Sequence, residues 1–179
     1  MRVQEIVQDL SVWLPGLPEM TVEQGVVRAA RRFSSDVYAW KEKVLDVDVD
    51  QPPNPQEPDD HEGEIVSLTA IELDGAKAHG FWDGELIHVE EGGGRLVVEA
   101  ALRPKQGSSE IPPAITFYAE AIKAAAAAEL MMIPGGPWTQ PELAEHHGNR
   151  YQAEVARARA EINRQRSTQP LQVRPRRFV

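Results

Sequence analysis

The chain has 179 residues, a length that suits one domain with a small appendage, and 41% of them are hydrophobic, enough for a core. It contains no cysteine, which excludes a disulfide scaffold and thiolate metal sites and fits a reducing compartment. The net charge of −9 divides into −15 over residues 1–149 (11 Lys/Arg against 26 Asp/Glu) and +6 over 150–179 (8 Arg against 2 Glu), so the acidic body opposes approach to nucleic-acid phosphate and the basic C-terminal segment needs its own account.

The first residues, MRVQEIVQDLSVWLPG, place acids before any apolar run and do not read as a signal peptide. No apolar run approaches the roughly 20 residues of a membrane span, so no membrane partner is expected. Val3, Ile6, Val7, Leu10 and Leu14 recur at helical spacing, and Pro15-Gly16 ends that helix. LPGLPEM is a turn. Thr21 and Gln24 then form a capping-box signature, and Val22, Val26, Ala29, Phe33, Val37 and Trp40 predict a long amphipathic helix over 21–42.

VLDVDVD (44–50) alternates apolar and acidic residues, as a half-buried strand does. QPPNPQEPDDHEG (51–63), with four prolines and a run of acids, reads as a mobile loop. EIVSLTAIEL, AHGFW, ELIHVE and RLVVEAAL predict the strands of a β unit over 64–103. The three glycines 92–94 read as a hairpin connection. No helix follows them to supply an anion-binding N-terminus, which argues against a phosphate cradle.

Pro112-Pro113 opens a helix carried by Ile115, Tyr118, Ile122, Ala125, Ala126 and Leu130 to about Ile133. Pro134-Gly135-Gly136-Pro137 stops it. Thr139 as N-cap with Glu142 makes a second capping box, and Leu143, Tyr151, Val155, Ala158 and Ile162 carry the last helix to about Arg164. The prolines of STQPLQVRPRRFV bar further helix, so 167–179 should leave as an extended arm. The expected fold class is mainly α with an inserted β unit (α+β). Residues 1–43 and 111–165 form an antiparallel helical bundle, 44–105 the small antiparallel β unit, and 166–179 the arm.

Residues 124–128 are all alanine, and a helix this small on every side can be approached closely. Its neighbour is either another helix of the same bundle or a helix of the next subunit in a ring. Trp138, directly after the Pro-Gly-Gly-Pro stop, should pack the two flanking helices together. Phe33, Trp40, Ala125, Ala126, Leu130 and Trp138 are the expected helix-packing or subunit-packing residues.

The chemistry-bearing residues are sparse. His146 and His147 are adjacent and point about 100° apart on a helix, so they do not share a metal easily. Glu142 and His146 make a plausible pair one turn apart, which leaves a weak hydrolase reading. No zinc-protease spacing, G-x-S-x-G or Walker loop is present. No enzyme activity, cofactor or metal is expected.

The basic segment has Leu171, Val173 and Phe178 interleaved with Arg164, Arg166, Arg174, Arg176 and Arg177. That alternation suits strand addition to a partner protein's edge better than a nucleic-acid tail, though a nucleic-acid-associated module using the arginines remains the alternative.

Three blocks resemble the head-to-tail adaptor (connector) proteins of tailed bacteriophages. TVEQGVVRAARRFSSDVYAW is similar to their N-terminal signature, with AARRF…W the most telling part. AEAIKAAAAAELMMIPGGPWTQPELAEHHGNRYQAEVARARAEI resembles the second: a small-residue helix, a proline–glycine–Trp joint and an Ala/Arg helix. LQVRPRRFV resembles the closing arm. The resemblance runs from about Leu14 to Val179 and is weaker in the β unit. It implies a virion structural protein, made in the host cytoplasm and located in the neck between portal and tail. Such proteins form a homo-oligomeric ring, twelvefold in the relatives. The portal protein and a tail (nozzle or tail-tube) protein are the implied partners, and DNA passes through the lumen without sequence-specific binding. It further implies that the arm, with Arg164, Arg166, Leu171, Val173, Arg174, Arg176, Arg177 and Phe178, docks on the portal while the β unit faces the tail.

Overall fold

A computed structural model describes residues 2–49, 55–90 and 92–166. Within them the chain is a mixed helix-and-sheet fold with antiparallel sheets, in keeping with the expected α+β class. The order is α1 (Val3–Ser11), α2 (Glu19–Val37), β1 (Lys41–Val49), β2 (Gly63–Leu73), β3 (Ala76–Lys77), β4 (Gly80–Trp82), β5 (Ile87–Val89), β6 (Gly94–Pro104), α3 (Pro113–Thr116), α4 (Ala119–Leu130) and α5 (Pro141–Arg166).

Helical periodicity puts Val3, Ile6, Val7 and Leu10 of α1 on one buried stripe, and Val22, Val26, Ala29, Ala30, Phe33 and Val37 of α2 on another. α2 packs on α1, α4 and β6, and α4 packs on α5. Gly25 allows the α2–α4 crossing to be close: a Cβ there would lie 2.8 Å from Cδ2 of the fully buried Leu130.

The larger sheet has the order β1-β6-β2-β3, with β6 pairing antiparallel to both β1 and β2. β2 reverses into β3 through Asp74-Gly75, both at positive φ (50° and 77°), the backbone a two-residue hairpin turn requires. β4 and β5 form a separate two-stranded sheet. Leu96, Val98, Ala100 and Leu102 of β6 enter the same apolar core as α2 and α4. The β unit is thus inserted in sequence but shares one core with the helices.

The elements differ from the sequence expectations in several places. α2 ends at Val37, not 42, because Tyr38 takes a left-handed conformation (φ 54°). Trp40 then drops into the core, 3% exposed, packed over Gly63, and the strand begins at Lys41 rather than 44. Thr21 is no N-cap: Pro18 precedes the first turn, and the Thr21 amide donates to the Pro18 carbonyl at 2.9 Å. The second half of the expected mobile loop is held in place. Gln56 exchanges two backbone hydrogen bonds with Ile87 (2.9 and 2.8 Å), and the Asp59 amide donates to Val44 at 2.7 Å. The glycines 92–94 do not close a hairpin, since β5 and β6 belong to different sheets.

The helix expected from Pro112 to Ile133 is split at Phe117–Tyr118 into α3 and α4 and ends at Leu130. Thr139 does not cap α5. Its hydroxyl donates to the Ile133 carbonyl at 2.6 Å, and Gln140 supplies the carbonyl that accepts from the Ala144 amide.

Candidate assembly surfaces

The alanine helix lies inside its own chain. Ala124, Ala125, Ala126 and Ala127 are all buried between α2 and α5, and only Ala128 of the five is partly exposed. These four therefore offer little surface to a second subunit, and the close approach their small size permits is used within the fold. Phe33, Trp40, Ala125, Ala126 and Leu130 are each buried in this core.

Trp138 makes the corner between α4 and α5. Its ring covers Gly136 and reaches Gly16, where even a Cβ would come within 2.3 and 3.6 Å respectively, and its indole N–H donates to the Ile133 carbonyl at 3.1 Å. Thr139 donates to the same carbonyl. One acceptor thus takes both donors, which fixes the turn at the end of the alanine helix.

The arginines of the last helix do not form one free basic patch. Arg150 pairs with Glu120 at 2.8 Å, and Arg159 donates from Nε to the backbone carbonyl of Asp36, also at 2.8 Å. Arg157 stands 4.0 Å from Glu154. Beside them the Tyr151 hydroxyl donates to Asp36 at 2.5 Å, and Arg32 lies over the Tyr151 ring. Burial first, and then the Asp36 carboxylate, push the Tyr151 phenol well above its ordinary value. Arg164 is exposed on the last turn of α5, whose backbone runs to Arg166. Leu171, Val173, Arg174, Arg176, Arg177 and Phe178 lie outside the described residues.

Where α2 meets the sheet, Arg31 grips Glu64 through two bonds of 2.8 Å and donates to the Pro104 carbonyl at 2.6 Å, while Arg103 adds 3.1 Å to the same carboxylate. These bonds, the Arg31 ones foremost, lower the Glu64 pKa to about 2 against the partial burial that opposes them.

The structure does not bring Glu142 and His146 together as a pair. No hydrogen bond or ion pair joins Glu142 to His146. His147 stacks on Trp13 (ring centroids 5.3 Å apart), and its pKa is lowered mainly by burial and further by His146 and Arg150. Among the described residues no cluster of three or more His, Asp or Glu is placed to hold a metal ion, and no helix is long and apolar enough to cross a membrane.

Sequence reasoning missed the Asp36–Tyr151–Arg159 tie and the Arg31–Glu64 clasp, because each joins residues far apart in the chain. It also passed over Phe117, which projects 95% exposed from the α3–α4 break. The signal was present: Phe117 falls off the apolar stripe set by Ile115, Tyr118 and Ile122.

No protein-family model matches the chain, and no curated protein matches it.

Proposed function

We propose that this protein is a head-to-tail adaptor of a tailed bacteriophage: a virion structural protein that assembles as a ring under the portal, connects it to the tail and lines part of the DNA channel. The observation that carries the reading is the resemblance of three blocks in the right order. The first two fall on α2 and on α4–Trp138–α5, elements that pack together as one helical body. In this reading those helices with α1 form the bundle, the sheet faces the tail, and Arg164 marks the start of the portal-docking arm. The net acidity of residues 1–149 suits a lumen along which DNA slides without sticking.

The experiment is deletion of residues 165–179 followed by pull-down on the portal ring of the same phage. The expected result is loss of portal binding with an unchanged circular dichroism spectrum. Full-affinity binding by the truncated chain would refute the arm assignment. The alternative, a nucleic-acid-associated module, is favoured by one observation, the excess of arginine after residue 150. It predicts DNA binding that falls steeply with salt.

A further inference from the structure

Among the described residues, one buried side-chain nitrogen or oxygen has no hydrogen-bond partner: Nδ1 of His147. Trp13, in the turn that follows α1, stacks on this imidazole with ring centroids 5.3 Å apart and planes 20° apart. His146 meets the ring edge-on, with centroids 5.7 Å apart. Its charged neighbours on α5 are His146 and Arg150, which carry positive charge or none. The charged groups that α1 and α4 bring towards this part of α5 are Asp9, Lys123 and Glu120, and these are engaged with one another. Lys123 bonds Asp9 at 2.5 Å and Glu120 at 3.1 Å, and Arg150 bonds Glu120 at 2.8 Å. Neither carboxylate bonds His147, so among the described residues Nδ1 has no acceptor.

We propose that His147 is an acid-sensitive latch: neutral, with its proton on Nε2, it holds Trp13 against α5, and protonation of Nδ1 releases Trp13 from the stack. A neutral imidazole carries one N–H, and Nε2 is not sealed off as Nδ1 is, so the proton belongs on Nε2. The charged ring must place a second N–H at Nδ1, where it is buried without an acceptor, and must add a positive charge beside Arg150. An indole face attracts cations, which works the other way. At a part-exposed stack that attraction is smaller than the cost of an orphaned buried donor. Burial first, and then His146 and Arg150, lower the His147 pKa accordingly. With the folded value below the unfolded one, the contribution of the latch is full above about pH 6.5 and is lost as pH falls through the folded value. Leu10 and Leu14, both fully buried, keep the turn seated, so the movement is of the Trp13 side chain and not of the fold. Released, Trp13 joins the exposed Val12 as an apolar tip that is presented in acid and withdrawn at neutral pH.

The test is nuclear magnetic resonance of the isolated full-length chain, so its outcome is independent of whether portal is the partner. Imidazole nitrogen shifts give the tautomer and the titration of His147, with its signals assigned by their loss in His147→Phe. The expected result is the Nε2–H tautomer at about pH 7.5, a midpoint below the ordinary histidine value of about 6.5, and loss of the Trp13–His147 ring contacts with that same midpoint. In thermal unfolding, the wild type should lose more of its midpoint temperature than His147→Phe between about pH 7.5 and about pH 5.5. The ring contacts are read on the unaltered chain, so they stand even if the variant folds poorly. An Nδ1–H tautomer, a midpoint at or above the ordinary value, or ring contacts that persist after His147 is protonated would each overturn the proposal. So would equal losses of midpoint temperature in the two proteins.

Discussion

Replacing Ala126 by leucine tests where the alanine helix packs. Ala126 is completely buried, flanked by the buried Ala125 and Ala127, on a helix held between α2 and α5. The α2 crossing is so close that Gly25 has no room for a Cβ without displacing Leu130. Three added carbons therefore meet a filled space. Overpacking of this kind costs about 1–3 kcal/mol, and the absence of slack on the α2 side puts the expectation at the upper end, about 3 kcal/mol. Helix propensity offers no offset, since leucine ranks just below alanine. At roughly 2–4 °C per kcal/mol for a chain of this size, Tm should fall by about 6–12 °C. The assay is thermal unfolding of the isolated chain, dilute enough that self-association is absent. Ala153→Leu on the exposed side of α5 is the control and should change stability by less than about 0.5 kcal/mol. If Ala126→Leu melts with the wild type in the isolated chain, the burial argument is wrong.

Three further outcomes follow from the same geometry. Gly25→Ala should gain up to about 1 kcal/mol of helix propensity but lose about 1–3 kcal/mol by displacing Leu130, for a net loss in urea unfolding; a net gain would mean the crossing has slack. Tyr151→Phe leaves the ring in place and removes the bond to Asp36, which should cost about 1.5–3 kcal/mol, and equal urea midpoints for the two proteins would contradict the bond. The folded Glu64 pKa of about 2 lies below the unfolded value, so its contribution is present above about pH 4.5 and is lost as pH falls towards 2. Glu64→Gln should lose about 1 kcal/mol at pH 7, discounted for the partial exposure of the pair, and almost nothing at pH 2; a loss of equal size at both values would show that the charge is not what matters.

The apolar stripes of α1 and α2, and that of α5 apart from the exposed Leu143, were legible because they depend on local periodicity, whereas the alternation of β1 is broken where the adjacent Val44 and Leu45 are both buried at a register shift. The errors lie where tertiary packing overrode local signals. Thr21 and Thr139 both had capping-box spacing. In the fold Pro18 begins the first helix, and the Ile133 carbonyl claims the Thr139 hydroxyl. Trp40 fitted the stripe of α2, but the left-handed Tyr38 sends it under the sheet instead, a conformation no periodicity encodes. The charge reading of residues 150–179 was correct in sum and incomplete in place. Arg150, Arg157 and Arg159 face groups of their own chain, and those partners, Glu120, Glu154 and Asp36, could not be paired with them without the fold.

The proposed ring assembly on a portal is tested most directly by electron microscopy of this protein mixed with purified portal rings. The expected image is a second ring stacked on the portal with matching axial symmetry, absent when residues 165–179 are removed. Portal rings that remain bare at saturating protein would contradict it.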